Sequence, residues 1–151
     1  MKTSIDKNFV TIDNNTKAKM DFIKTERLSL VNLKLVDDMN SKYELKLSAH
    51  SRDSFYIDSI FGKDKVSEKI SIDDIKDIIS NIKDVINNTT DRFSLTLKTD
   101  DSSKHNFNVY KSDDENCIDF IVNYEGTGLF VTVKKEDNML LLFDKFLKSI
   151  E

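Results

Sequence analysis

Residues 71–88 read SIDDIKDIISNIKDVINN, and this stretch decides the fold class. Ile72, Ile75, Ile79, Ile82 and Ile86 recur at steps of three and four residues, joined by Ile78 and Val85. That spacing makes one stripe of a helix apolar, while Asp73, Lys76, Asp77, Ser80, Lys83 and Asp84 face water. Ser71 stands where an N-cap belongs, and Asp74 completes a capping-box pattern, with Asp73 and Asp74 in the first turn. Asn87-Asn88 supplies the stop. Isoleucine is a mediocre helix former, so packing of the stripe must hold this helix.

On either side the periodicity becomes that of strands. Tyr43, Leu45, Leu47 and Ala49 alternate with Glu44, Lys46 and Ser48, as in a half-buried antiparallel strand. Upstream, Leu28 and Leu30 alternate with polar neighbours, and the phase slips at Val31-Asn32 before Leu33 and Leu35, which predicts a bulge. Asp37 to Asn40 reads as a turn, and Phe55 and Ile57 continue the theme to Ile60-Phe61-Gly62. After the helix, four strands are expected. Phe93, Leu95 and Leu97 precede a turn at Asp100 to Ser103, and Phe107 and Val109 precede one at Ser112 to Asn116. Ile118, Phe120, Val122 and Tyr124 then alternate with Cys117, Asp119, Ile121 and Asn123. Glu125 to Gly128 is a hairpin connection, and Leu129, Val131 and Val133 form the last strand with Phe130 on its other face. Asp137 can cap a closing helix with the stripe Met139, Leu140, Phe143, Phe146, Leu147 and Ile150, and Asp144 and Lys148 stand four apart in the favourable order.

The pattern predicts an α+β fold with two amphipathic helices on one face of a curved, mostly antiparallel sheet of about seven strands. The expected order is three or four strands, a helix, four strands and a helix. Residues 1–25, thinly apolar apart from a short edge strand near Phe9 to Ile12, read as a partly ordered arm; 26–151 read as one domain without a linker. A pleckstrin-like barrel is the alternative fold, although its usual lipid role needs a basic cluster where these turns are acidic.

Composition bounds the class. The chain has 151 residues, 38% hydrophobic and 33% charged, with 23 basic against 27 acidic residues and a net charge of −4, which suits one domain with a real core rather than a disordered chain. Cys117 is the single cysteine, so no intramolecular disulfide forms and a reducing, cytoplasmic setting is expected. No apolar run is long enough to span a membrane, and Met1 to Lys7 has no signal-peptide core.

Each candidate chemistry meets a plainer explanation. The acidic turns Asp37-Asp38, Asp100-Asp101 and Asp113-Asp114-Glu115 lack calcium-loop spacing, and His50 and His105 match no zinc pattern, so no metal is expected. Cys117 with His105 is a candidate nucleophile–base pair, but the acids beside Cys117 disfavour a thiolate, and a small buried apolar residue is the simpler role. Gly126-x-Gly128 sits in a hairpin rather than between strand and helix, so it is no phosphate cradle, and no cofactor is expected. Lysines interspersed with acids make no nucleic-acid stripe, and neither helix has the basic face of a membrane-surface helix. Protein binding remains. Tyr56, Tyr110 and Phe130 fall out of phase with the main apolar set, and with the acidic turn Asp113, Asp114 and Glu115 they are the candidate partner-binding residues. The plainer alternative is that the second sheet face is covered as well.

From Ser71 onward the order of amphipathic helix, meandering strands and closing helix from Leu140 to Ile150 resembles small bacterial immunity-type proteins of polymorphic and contact-dependent toxin systems. It departs from them in having no Trp. The resemblance implies a non-catalytic, stoichiometric inhibitor, monomeric or weakly dimeric, that binds a toxin or enzyme domain; the acidic balance suits a basic nuclease partner. Three other readings stay open. They are a phage or mobile-element inhibitor of a host defence enzyme, a small-ligand β-cup closed by the last helix, and an enzyme built on Cys117 or paired carboxylates.

Overall fold

The computed structural model describes residues 4–11, 17–37, 39–51, 53–98, 104–135 and 137–151. Their chain order is β1 (Ser4–Thr11), β2 (Lys17–Lys24), β3 (Leu28–Val36), β4 (Lys42–His50), β5 (Ser54–Phe61), β6 (Asp64–Ile70), α1 (Ile72–Ile86), β7 (Arg92–Lys98), β8 (Lys104–Lys111), β9 (Cys117–Tyr124), β10 (Thr127–Lys134) and α2 (Asp137–Ile150). The fold is α+β, all strand pairs are antiparallel, and there are two sheets rather than the single sheet expected. β1 to β6 form one in sequence order, and β7 to β10 form the other. Among the described residues six strands, not three or four, precede α1.

Two extra strands come from the segment read as an arm. β1 pairs with β2 from Ser4–Lys24 to Thr11–Lys17, and β2 buries Ala18, Met20 and Phe22 on its inner face, with Asp21 buried on the other. Another is β6, whose sequence DKVSEKI buries only Val66 and so carries almost no apolar signal. The predicted bulge in β3 does not form. Its register with β4 runs one to one from Leu28–His50 to Val36–Lys42. Val31, Leu33 and Leu35 point inward together, and Leu28 and Leu30 lie on the outer face, where Leu30 shares a row with Ile23 and Tyr56. Apolar residues on both faces of one strand imitate a slipped phase.

α1 follows the sequence closely, whereas α2 departs from the expected stripe in burying Leu142, and its Asp144 pairs with Lys83 rather than Lys148. Ser71 caps α1, its hydroxyl accepting from the Asp74 amide at 3.0 Å while Asp74 accepts from the Ser71 amide at 3.3 Å. α1 buries Ile75, Ile78, Ile79, Ile82, Val85 and Ile86, packs on β7 and β8, and ends at Asn87. α2 lies on β1, β2 and β3 and buries Leu142, Phe143 and Phe146. Asp144 reaches across to α1, where it accepts from Lys83 at 2.6 Å. The side chain of Asp137 lies outside the described residues, as do the expected turn at Asp100 to Ser103 and Asp38.

β6 approaches β7, and β10 lies against β1, β2 and β3, so the two sheets meet along both sides. Their inner faces and both helix stripes merge into one apolar core. Tyr43 of β4 stacks on Phe107 of β8, with centroids 5.9 Å apart and planes at 18°, and Phe61 of β5 meets Tyr124 of β9 at 6.1 Å. Each fully buried aromatic or branched side chain of this kind contributes roughly 1.5–3 kcal/mol of transfer free energy.

Candidate functional site on the outer face of the four-stranded sheet

One polar cluster lies inside the core. The Tyr43 hydroxyl is 2.7 Å from Ser59 Oγ, and Ser59 Oγ is 2.9 Å from His105 Nδ1, a chain that ties the large sheet to the small one. When Tyr43 donates to Ser59 and Ser59 to Nδ1, the imidazole proton sits on Nε2, which has no hydrogen-bond partner among the described residues. Burial pushes the His105 pKa down, with the Asp64 carboxylate pulling weakly the other way, and it pushes the Tyr43 hydroxyl far up. Both groups are therefore held neutral. Ser59 and His105 have nucleophile–base spacing, but Ser59 is 0% exposed, so no substrate reaches it in this conformation. The cluster holds the sheets together.

The candidate pair Cys117 and His105 is not assembled. His105 pairs with Tyr124 at one end of β9, and Cys117 begins the same strand at the other end, roughly 23 Å away at ~3.3 Å per residue. Cys117 is buried, and its thiol pKa is raised first by that burial and then by Asp114. It is a small buried residue with little thiolate character. The acids at turns do turn chemistry. Asp37 Oδ1 accepts from the Met39 amide at 3.0 Å and the Ser41 amide at 2.8 Å, and Asp114 Oδ1 accepts from the Asn116 amide at 2.9 Å. Among the described residues, no three His, Cys, Asp or Glu side chains gather as a metal site.

The face of the small sheet that points away from the core is of a different kind. In β10, Leu129, Val131 and Val133 point inward, so Gly128, Phe130 and Thr132 point out. Phe130 pairs with Ile121 and Ile121 with Asn108, giving one row across the sheet. Thr132, Asp119, Tyr110 and Arg92 form the next row, in which Thr132 donates to Asp119 at 2.7 Å. On the other side of the Phe130 row lie Gly128, Asn123, Asn106 and Thr96. A polar lattice knits these rows together. Ser94 donates to Asn108, Asn108 to Asn106 and to the Ile121 carbonyl, and Asn106 to Thr96. Gly128 contributes no side chain, and a Cβ there meets Asn123 Oδ1 at 3.2 Å. Phe130 consequently stands clear of its neighbours, 53% exposed.

Five of the six residues singled out from sequence belong to this sheet. Tyr110 and Phe130 share its outer face, two strands and two residues apart, roughly 12 Å by standard strand spacings. Asp113, Asp114 and Glu115 are exposed in the β8–β9 turn beyond the Tyr110 end. Tyr56 is separated from them. It sits half-buried on the outer face of the large sheet, edge-on to His50 at 5.3 Å. Sequence reasoning passed over the Asn and Thr side chains that frame Phe130, and the Ser59–His105 contact, which joins residues 46 apart in different sheets. Ile121 was legible as the odd residue in the β9 alternation.

Comparison with protein-family models, curated proteins and solved structures returned no match. What fold and site define is a two-sheet α+β domain with a filled interior and an exposed aromatic in a polar frame.

Proposed function

We propose that this chain is a non-catalytic protein-binding inhibitor of the toxin-immunity type, neutralising a partner by stoichiometric contact through the outer face of the small sheet. The observation that carries the reading is Phe130, a large apolar side chain exposed on a strand that buries Leu129, Val131 and Val133 on its other face. Aromatic anchors of this kind dominate binding energy when a partner pocket desolvates them and polar neighbours seal the edge. Ile121 adjoins Phe130 for that purpose, the Asn and Thr rows supply hydrogen-bonding groups, and Asp113, Asp114 and Glu115 favour a partner with basic residues at the rim. The net charge of −4 acts in the same direction at long range. A phage-encoded inhibitor of a defence enzyme uses the same contact chemistry and differs only in the partner.

The test is co-expression with the product of the adjacent gene. The expected result is a one-to-one complex and protection from that protein's toxicity, both weakened at least tenfold by Phe130→Ala with folding intact. Absence of a stoichiometric complex together with absence of protection overturns the reading.

A further inference from the structure

The large sheet carries a second feature, unconnected with the Phe130 face. A groove of about 460 Å³ crosses β2 to β5 near the β3–β4 turn. Its residues form adjoining rows of the sheet, one running Lys19–Lys34–Glu44–Ile60, the next Ala18–Leu35–Tyr43, and beyond it Val36 opposite Lys42, with Gly62 at the end. The volume lies within the ~300–1,000 Å³ of small-ligand sites. Space at Gly62 is open, because a Cβ there meets nothing within 4 Å.

The lining has two parts with opposite chemistry. Val36 and Ile60 are half-buried aliphatic side chains, and Ala18, Leu35 and Tyr43 close the sheet beneath. Around them stand Lys19, Lys34 and Lys42, with the carboxylate of Glu44 in the lining and that of Asp21 beside Lys34, so lysines outnumber carboxylates among the described residues there. The Glu44 carboxylate is already engaged, accepting from Asn32 at 3.0 Å and lying 3.7 Å from Lys46. Lys34 is held only loosely, 3.7 Å from Asp21. The rim is therefore net positive while the floor is apolar. In sequence these lysines are scattered among acids; register across three strands brings them together. The floor offers no exposed aromatic platform for a base, since Tyr43 is buried with its ring stacked on Phe107.

We propose that this groove binds a soluble, monomeric amphipathic anion, an alkyl chain bearing one carboxylate or phosphate. The chain lies over Val36 and Ile60, and the head group meets Lys42 and Lys34. The flexible ammonium heads act on the anionic head group as point charges.

The experiment is calorimetric titration of the full chain with dodecanoate below its micelle concentration, with dodecyltrimethylammonium, acetate and anionic phosphatidylglycerol vesicles as parallel arms. The expected result is saturable one-to-one binding of dodecanoate, at least tenfold weaker binding of the cationic analogue and of acetate, and no preference for vesicles. Lys42→Glu, at an exposed position, is expected to weaken dodecanoate at least tenfold without moving the melting temperature, and Val36→Ser to weaken it through the floor. Equal binding of cation and anion, binding unchanged in Lys42→Glu, binding to vesicles alone, or no saturable heat overturns the proposal. Phe130→Ala leaves dodecanoate binding unchanged, which separates this site from the protein-binding face.

Discussion

Strand β10 has two faces, and they divide the work of the molecule between them. Leu129, Val131 and Val133 enter the core and are essentially inaccessible, while Phe130, one residue away from two of them, is more than half exposed. In β9, Ile118, Phe120 and Val122 are buried, and Asp119, Ile121 and Asn123 look outward. The chemistry is similar on the two sides, since Phe130 and Ile121 are as apolar as their buried neighbours. The surroundings differ, because the inner face meets α1 and the large sheet, whereas the outer face carries a polar lattice of amides and hydroxyls flanked by Asp119, Tyr110 and Arg92. An apolar group left more than half exposed is a candidate for a contact made elsewhere.

This contrast breaks first on the inner side. Phe120→Ala removes a fully buried ring that touches Phe107, and a loss of about 3–5 kcal/mol is expected by urea unfolding. A loss below about 1 kcal/mol shows that the inner face is not the core described.

The buried His105 gives the next effect, in direction. Its folded pKa is lowered from the ordinary 6.5, so below that pH the unfolded chain takes up a proton that the folded chain resists. Stability is complete above 6.5 and declines as pH falls from there toward the lowered folded value. Between about pH 7.5 and about pH 5.5 the native chain should lose more stability than His105→Gln, whatever the offset between them at the upper pH. Parallel pH profiles contradict the burial of a neutral imidazole between the sheets.

A smaller cost attaches to the helix start. Ser71→Ala removes the hydroxyl that accepts from Asp74, and about 1 kcal/mol is expected from the shift of the unfolding midpoint. The smallest effect belongs to the outer face. Phe130→Ala should leave stability within about 0.5 kcal/mol of the native chain. A cost approaching that of Phe120→Ala shows Phe130 to be packed and removes the contrast on which the functional reading stands.

Much of this was legible in the sequence wherever one local rule had no rival. The helix from Ile72 to Ile86 reads directly because its stripe, its Ser71–Asp74 box and its Asn87 stop all agree. The alternation of β9 and β10 reads equally well, and with it the outward position of Phe130. Reading fails where the environment overrides the pattern. β6 is an edge strand that buries Val66 alone, so its charges look like a loop. β3 places Leu28 and Leu30 outside and Val31 inside, which a single-face rule reads as a slip. The separation into two sheets depends on β6 and β7 not pairing across α1, and strand periodicity carries no information about that. The candidate site was half legible. Tyr110, Phe130 and the acidic turn lie on one sheet, but Tyr56 belongs to the other, and the lysine groove exists only once the register of β2, β3 and β4 is known.

The central claim is that the outer face of the small sheet binds a protein through Phe130 while the inner face holds the fold. One titration tests it most directly, with the purified adjacent-gene product added to native chain and to Phe130→Ala, and the melting temperature of each recorded. The account predicts one-to-one binding by the native chain, binding at least tenfold weaker in Phe130→Ala, and indistinguishable melting temperatures. Native-strength binding by a folded Phe130→Ala chain contradicts it.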